Sequence, residues 1–261
     1  MISIFWECSI FEQEGSEYNC MDLSIVEDYK QLCQKAAMIV AGQVTYKPRS
    51  VLGLPTGSTP MCMYDQLAEM HQNNSLSFSE VTTFNLDEYI NLSPEHPGSF
   101  HSYMRKNFFN KVDIKRENTH IPRGQAENIE QECRRYEEKI AEAGGIDLQI
   151  LGLGSNGHIA FNEPQEELPR RTSPVTLKEH TRKTNSSYFQ NQEEVPERAI
   201  TMGVGTILSA KRILLIVNGE SKAKAVEEMV SGGITTKLPA SFLHLHDDVR
   251  VIMDQEAAKN I

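Results

Sequence analysis

Apolar side chains at Tyr29, Leu32, Cys33, Ala36, Ala37 and Val40 recur every three to four positions, the spacing that gathers them on one face of a helix. Val51–Leu54 is a short apolar run stopped by Pro55 and Gly57, as expected of a buried strand leaving a sheet. Thr59 followed by Pro60 reads as an N-cap and first helical position, and Met61, Tyr64 and Leu67 form the stripe of the next helix. The alternation continues with a strand at 81–86, a helix through Ile129, Cys133, Tyr136 and Ile140, and a strand at 148–153. It ends with the run Ile213–Val217, a helix over 221–230 closed by Gly232 and Gly233, and a strand at 249–253. Leu23, Ile25 and Val26 are read as the first strand. Continuous apolar strands between amphipathic helices predict an α/β fold whose mostly parallel sheet is covered on both faces. The polar, proline-bearing segment 164–198 breaks the pattern and is read as a mobile flap or lid. Residues 1–20 are read as an extension ahead of a single domain spanning 21–261.

Charge narrows the partners. A formal charge of −10 over 261 residues argues against general attraction to nucleic acid or anionic lipid, so neither is expected as a partner. No apolar run reaches membrane-spanning length, and the N-terminus has neither a basic leader nor a small-residue cleavage site. Five cysteines without a CxxC pair fit free thiols in a reducing, cytoplasmic compartment, and no zinc-site spacing is written in the chain.

Candidate chemistry sits where predicted strands end. The turn Thr56, Gly57, Ser58, Thr59 joins a strand to a helix, where unpaired N–H groups and hydroxyls suit a phosphate; an ordinary capped turn has the same residues. Asp87 and Glu88 follow a buried strand, a placement suited to proton transfer, although solvated turn acids occupy such positions as well. The run from Leu151 to Pro164 is the most informative: three glycines let the backbone turn sharply, and Asn156, His158 and Glu163 converge within it. Lys222, in a first helical turn, opposes the helix dipole unless an anion lies nearby. His244 and His246 alternate with leucines on an extended segment and are read as structural.

Taken together, LGLPTGSTP, TTFNLDEYINL, HPGSF at 96–100 and LGLGSNGHIAFNEP resemble the glucosamine-6-phosphate deaminase family, from about Met21 to the end of the chain. The resemblance implies a three-layer αβα, Rossmann-like fold with a lid, and an amino-sugar phosphate as substrate. It implies no metal or organic cofactor, and a monomer or homo-oligomer. By position, Asp87 matches the base moving a proton between C2 and C1, and His158, supported by Asn156 and Glu163, matches the group assisting ring opening. Thr56, Gly57, Ser58, Thr59 and Lys222 match phosphate ligands.

Three departures from the family pattern accompany the resemblance. Asn156 stands where some members carry Asp, which removes a carboxylate partner for His158 on that side. Ser187 stands where an arginine usually meets the phosphate, leaving Arg182 or Lys183 as replacements. Ser173 and Val175 lack the cationic side chains of activated members, so no activation by N-acetylglucosamine 6-phosphate is expected. The rival readings are action on the galactosamine epimer, which differs at one hydroxyl, and a non-catalytic sugar-phosphate sensor. Intact Asp87 and His158 favour catalysis.

Overall fold

The computed structural model describes residues 21–186, 189 and 194–261. Its centre is a seven-stranded sheet in the order β1-β10-β9-β6-β2-β3-β5, parallel throughout. The strands are β1 Asp22–Val26, β2 Val51–Leu54, β3 Thr82–Asn85, β5 Thr119–His120, β6 Leu148–Gly152, β9 Ile213–Val217 and β10 Val249–Asp254. Side-chain alternation divides the interior into two cores. Leu52, Leu148, Ile150, Leu214 and Ile216 face α1 (Tyr29–Tyr46), α2 (Met61–Gln72) and α3 (Phe100–Asn107). Val51, Leu151, Ile213, Leu215 and Val251 face α4 (Ile129–Glu142), α6 (Val204–Leu208) and α7 (Ala223–Ser231). Because both faces are buried, the strands read as unbroken apolar runs, and the expected three-layer αβα arrangement is the one observed.

Local signals set several boundaries. Asp28 caps α1 by accepting from Gln31 N–H at 2.8 Å, and Asn128 caps α4 by accepting from Gln131 N–H at 2.9 Å. The expected Thr59 cap of α2 does not form. Thr59 Oγ1 donates instead to Asn218 Oδ1 at 2.7 Å, the helix starts at Met61, and Tyr29 Oη accepts from Cys62 N–H at 3.4 Å. His244 is not extended but lies in a 3-10 turn, Pro239–Leu245. Its Nε2 meets Met229 O, and His246 Nε2 meets Ala210 O, each at 2.7 Å, so both rings serve to tie chain segments together.

The segment expected as a flap carries regular structure of its own. A second sheet, order β4-β8-β7, joins β4 (Asp87–Tyr89) to β8 (Arg198–Thr201) and β7 (Ser173–Thr176) in antiparallel pairs. Helix α5 (Glu179–Asn185) follows β7. Elements this short give no periodic signal, which is why polarity dominated their reading. Residues 1–20 and Ser187 lie outside the described residues. No helix among the described residues is long and apolar enough to cross a membrane.

Chain order reverses between β2 and β6: β2 leads outward to β3 and β5, whereas β6 leads the other way to β9 and β10. These two strands pair only at Leu52↔Leu148 and Gly53↔Gln149, so they diverge toward their carboxyl ends. Gly53 leaves room there for the Gln149 side chain, whose Oε1 would lie 2.1 Å from an added Cβ. Such a switch point opens a crevice beyond the strand ends, which is where ligands bind in open α/β sheets.

Candidate active site

A cavity of about 230 Å³ occupies that crevice. The loop 55–59 after β2, Asp87 after β3, Gly154, Ser155 and His158 after β6, and Lys222 after β9 all line it. Helix α5 closes it from the second sheet with His180, Thr181, Thr184 and Asn185. The residues singled out in the sequence therefore meet in one place. Asn156 and Glu163 do not line the cavity; they stand behind His158.

Asp87 opens β4 and is only 6% exposed. Among the described residues its carboxylate accepts no hydrogen bond from a protein donor. Burial, then the adjacent Glu88 carboxylate, holds its pKa well above the usual carboxylate range. The neighbouring acid has a different job. Glu88 accepts from Phe100 N–H and His101 N–H at 3.0 Å and meets His101 Nδ1 at 2.8 Å, so it caps α3 from below. Of the two acids after the strand, one is spent on the fold and the other faces the cavity.

Behind His158 the hydrogen bonds fix a direction. Asn156 Nδ2 donates to Glu163 Oε2 at 2.8 Å, because an ionised carboxylate can only accept. That turns Asn156 Oδ1 toward His158, where it lies 2.7 Å from Nδ1 and 3.3 Å from the backbone N–H. Nδ1 must then carry the proton, and Nε2 of the neutral ring is left as the acceptor. Glu163 Oε2 is itself 3.6 Å from Nδ1, so the carboxylate that Asn156 does not supply comes from Glu163. Burial raises the pKa of Glu163, but the nearby His158 ring and the hydrogen bonds from Thr181 and Asn156 outweigh it and bring it down to about 2. Thr181 of α5 donates to Glu163 Oε1, and His180 Nε2 lies 2.9 Å from Ser155 Oγ, so the second sheet's helix grips this run at two points.

Glycine is needed at two positions in the run. At Gly154 a Cβ would stand 2.3 Å from the His158 ring, and at Gly157, with φ +80°, it would meet Leu238 Cδ1 at 2.1 Å. Ala160 holds φ +50° in the turn closed by the Ile159↔Asn162 bridge, a costly conformation for a residue with a side chain. Asn162 stabilises that turn by donating from Nδ2 to Ile159 O and Met202 O.

On the opposite wall, the loop 55–59 presents its backbone. The N–H groups of Thr56, Gly57, Ser58 and Thr59 meet no protein acceptor among the described residues. Lys222 ends a 3-10 turn, Glu220–Lys222, entered through Gly219 at φ +89°; it forms no ion pair among the described residues, and burial lowers its pKa. Four N–H groups without protein acceptors and an uncompensated ammonium on one cavity are the chemistry that would suit an anion. Neither Arg182 nor Lys183, the expected replacements for the arginine, lines the cavity. Arg182 turns away, donating to Val195 O at 3.0 and 3.1 Å, and Lys183 is exposed outside the cavity. Sequence reasoning missed His180, Thr184 and Asn185, because a seven-residue polar helix offers no apolar stripe to place them.

The chain matches, over residues 27–252, the model of a family described as glucosamine-6-phosphate isomerases/6-phosphogluconolactonase. It is 54% identical over 241 residues to the glucosamine-6-phosphate deaminase of Thermoanaerobacter sp. strain X514, covering 92% of this chain and 95% of that protein. It is 55% identical over 238 residues to the glucosamine-6-phosphate deaminase of Halothermothrix orenii, covering 91% and 99%. A solved structure of a protein described as a monomeric glucosamine-6-phosphate deaminase superposes with TM-score 0.90 at 48% identity, covering 92% of this chain and all of that one, 100%.

Proposed function

This chain belongs to the family of glucosamine-6-phosphate isomerases and 6-phosphogluconolactonases, and on that premise we propose that it isomerises and deaminates glucosamine 6-phosphate, giving fructose 6-phosphate and ammonia. One observation carries the reading: a buried carboxylate, an oriented imidazole and a dianion site line a single cavity.

The residues divide the reaction among them. The 55–59 loop and Lys222 hold the phosphate, which fixes the sugar at a distance from the reacting carbons. His158, with Nε2 as acceptor, takes the proton of the anomeric hydroxyl and returns one to the ring oxygen, opening the ring; Asn156 and Glu163 hold its tautomer and compensate the charge it takes up. Asp87 removes the C2 proton from the open-chain aldehyde. Returning that proton to C1, while O1 gains a proton and the C2 amine gives one up, leaves an alcohol at C1 and an imine at C2. Water adds to the imine, ammonia leaves, and a ketone remains. Electrons stay within the carbon skeleton, so the residues present suffice without a redox group.

The buried thiols Cys33 and Cys133 and the partly buried Cys62 are unpaired, which supports a reducing cytoplasm as its compartment. The test is an ammonia-release assay on purified protein with glucosamine 6-phosphate, fructose 6-phosphate being measured in parallel. Equimolar release is expected. Turnover of galactosamine 6-phosphate in preference to the glucosamine epimer, or none of either, overturns the reading.

A further inference from the structure

Three tyrosines approach the 55–59 loop from three helices. Tyr64 of α2 donates to Pro55 O at 2.6 Å, and Tyr103 of α3 donates to Gly57 O at 2.5 Å. Tyr29, the first residue of α1, shares its proton between Ser58 O at 2.9 Å and Thr59 O at 3.0 Å. None of the three lines the cavity, whereas every residue from Pro55 to Thr59 does. The hydroxyls thus draw the loop's carbonyls to the side away from the cavity.

We infer that Tyr29, Tyr64 and Tyr103 are positioning residues that lock the peptide planes of this loop so that its N–H groups face the substrate phosphate, an inference that rests on the function proposed above. The reason is peptide geometry. No peptide bond here is cis, and in a planar trans unit the carbonyl and the following N–H point in opposite directions. Holding Pro55 O, Gly57 O and Ser58 O on the far side therefore turns the N–H groups of Thr56, Ser58 and Thr59 toward the cavity. These are three of the four donors with no protein acceptor.

The lock is needed because the loop has a weak point. Gly57 sits at φ +96° with nothing within 4 Å of a would-be Cβ, so no side-chain packing at that residue restrains the 57–58 peptide. A flip of that peptide would present a carbonyl oxygen to an anion where a donor is required. Tyr103 bonds that very carbonyl, and it therefore carries the largest share of the positioning.

Single Tyr103→Phe and Tyr29→Phe variants test the assignment, since each removes one hydroxyl and leaves the ring. Two quantities are read: KM and kcat for glucosamine 6-phosphate, and the dissociation constant of inorganic phosphate from its protection against thermal unfolding. For Tyr103→Phe, KM and the phosphate constant are expected to rise together by roughly tenfold, with kcat changing by less than about twofold. A merely structural hydroxyl would lower Tm and leave both constants alone, and that result overturns the inference, as does a fall in kcat with phosphate affinity intact. If Tyr103→Phe does not fold, Tyr29→Phe is read by the same criteria. The phosphate measurement needs no turnover, so an inactive wild type with weaker phosphate binding in the variants would sink the proposed reaction and leave the positioning role standing.

Discussion

Glu163 Oε2 stands 3.6 Å from His158 Nδ1, and the Asn156 amide spans the same two groups at 2.8 and 2.7 Å. The carboxylate fixes which way the amide faces, and the amide fixes which ring nitrogen is protonated. In Glu163→Gln the new amide can donate to Asn156, the Asn156 side chain is free to reverse, and Nε2 is no longer held as the acceptor. The expected outcome is a fall in kcat of about 10- to 100-fold with KM little changed, in line with losses of groups that orient a catalytic imidazole. Equal kcat in variant and wild type would remove Glu163 from the catalytic support.

The same carboxylate makes stability depend on pH. Its pKa lies near 2 in the folded protein against an ordinary 4.5. A depressed acid stabilises the fold fully above its unfolded value, and that contribution is lost as pH falls through the folded one. Urea unfolding of wild type and Glu163→Gln should therefore differ most above pH 4.5 and converge toward pH 2. A difference that stays constant across this window would show that Glu163 is not held as an anion.

Asp87 moves in the opposite sense, its pKa raised by burial and by Glu88. A base must be ionised to work, so the acid limb of the kcat/KM profile is expected above the normal carboxylate range rather than within it. Asp87→Asn should bind substrate yet fail to exchange the C2 proton with solvent deuterium, with turnover reduced about 10²- to 10⁴-fold. Exchange at the wild-type rate would assign the proton transfer to another group.

How much of this was legible in the residues depends on how far each signal reaches. The strands Val51–Leu54 and Ile213–Val217 are buried on both faces, and so wrote themselves as apolar runs. That Asp87 and His158 line one cavity was legible because each follows such a run, and ligands bind beyond strand ends at a switch point. Thr59 misled as a cap: its hydroxyl is claimed by Asn218, a partner 159 positions away that no local pattern reveals. The contribution of α5 was hidden for the same reason, since His180 and Thr181 matter only through contacts with Ser155 and Glu163. Tyr29 and Tyr64, which hold the 55–59 loop, looked like ordinary core residues, because their stripe positions and their hydroxyls serve different ends, and Tyr103 carried no signal of its own.

Among the described residues, Lys222 is the only lysine or arginine that lines the cavity. With no arginine of α5 lining the cavity, the proposed function places a larger share of the phosphate charge on it. Lys222→Ala should raise KM by about 10- to 100-fold, the range expected for removing a charge-assisted hydrogen bond from a shielded site. Lys222→Arg should recover only part of the loss, since a planar fork does not reproduce a point charge. An unchanged KM in the alanine variant would take the residue out of the site.

Gly154→Ala tests how closely His158 is seated. The added Cβ would lie 2.3 Å from the ring, so the imidazole must shift, while the position has no positive φ to strain. Thermal stability should change little and kcat should drop at least tenfold, since small displacements of a catalytic group are costly. A variant with wild-type kcat would mean that the ring tolerates displacement.

Activation by a second sugar phosphate needs a second place to hold one, and the positions where activated members carry cations are otherwise employed here. Ser173 Oγ donates to Arg171 O at 2.8 Å, which uses its one proton within β7's own entry turn. Val175, on the same strand, packs against the cluster containing Tyr89, Phe100 and Phe161, so a charged group at that position would face an apolar interior. A phosphate arriving there would meet no cation from either residue. Rate curves for glucosamine 6-phosphate are therefore expected to be hyperbolic and to superimpose with and without N-acetylglucosamine 6-phosphate. Activation by that compound would require a cationic site elsewhere on the surface and would overturn this reading of β7.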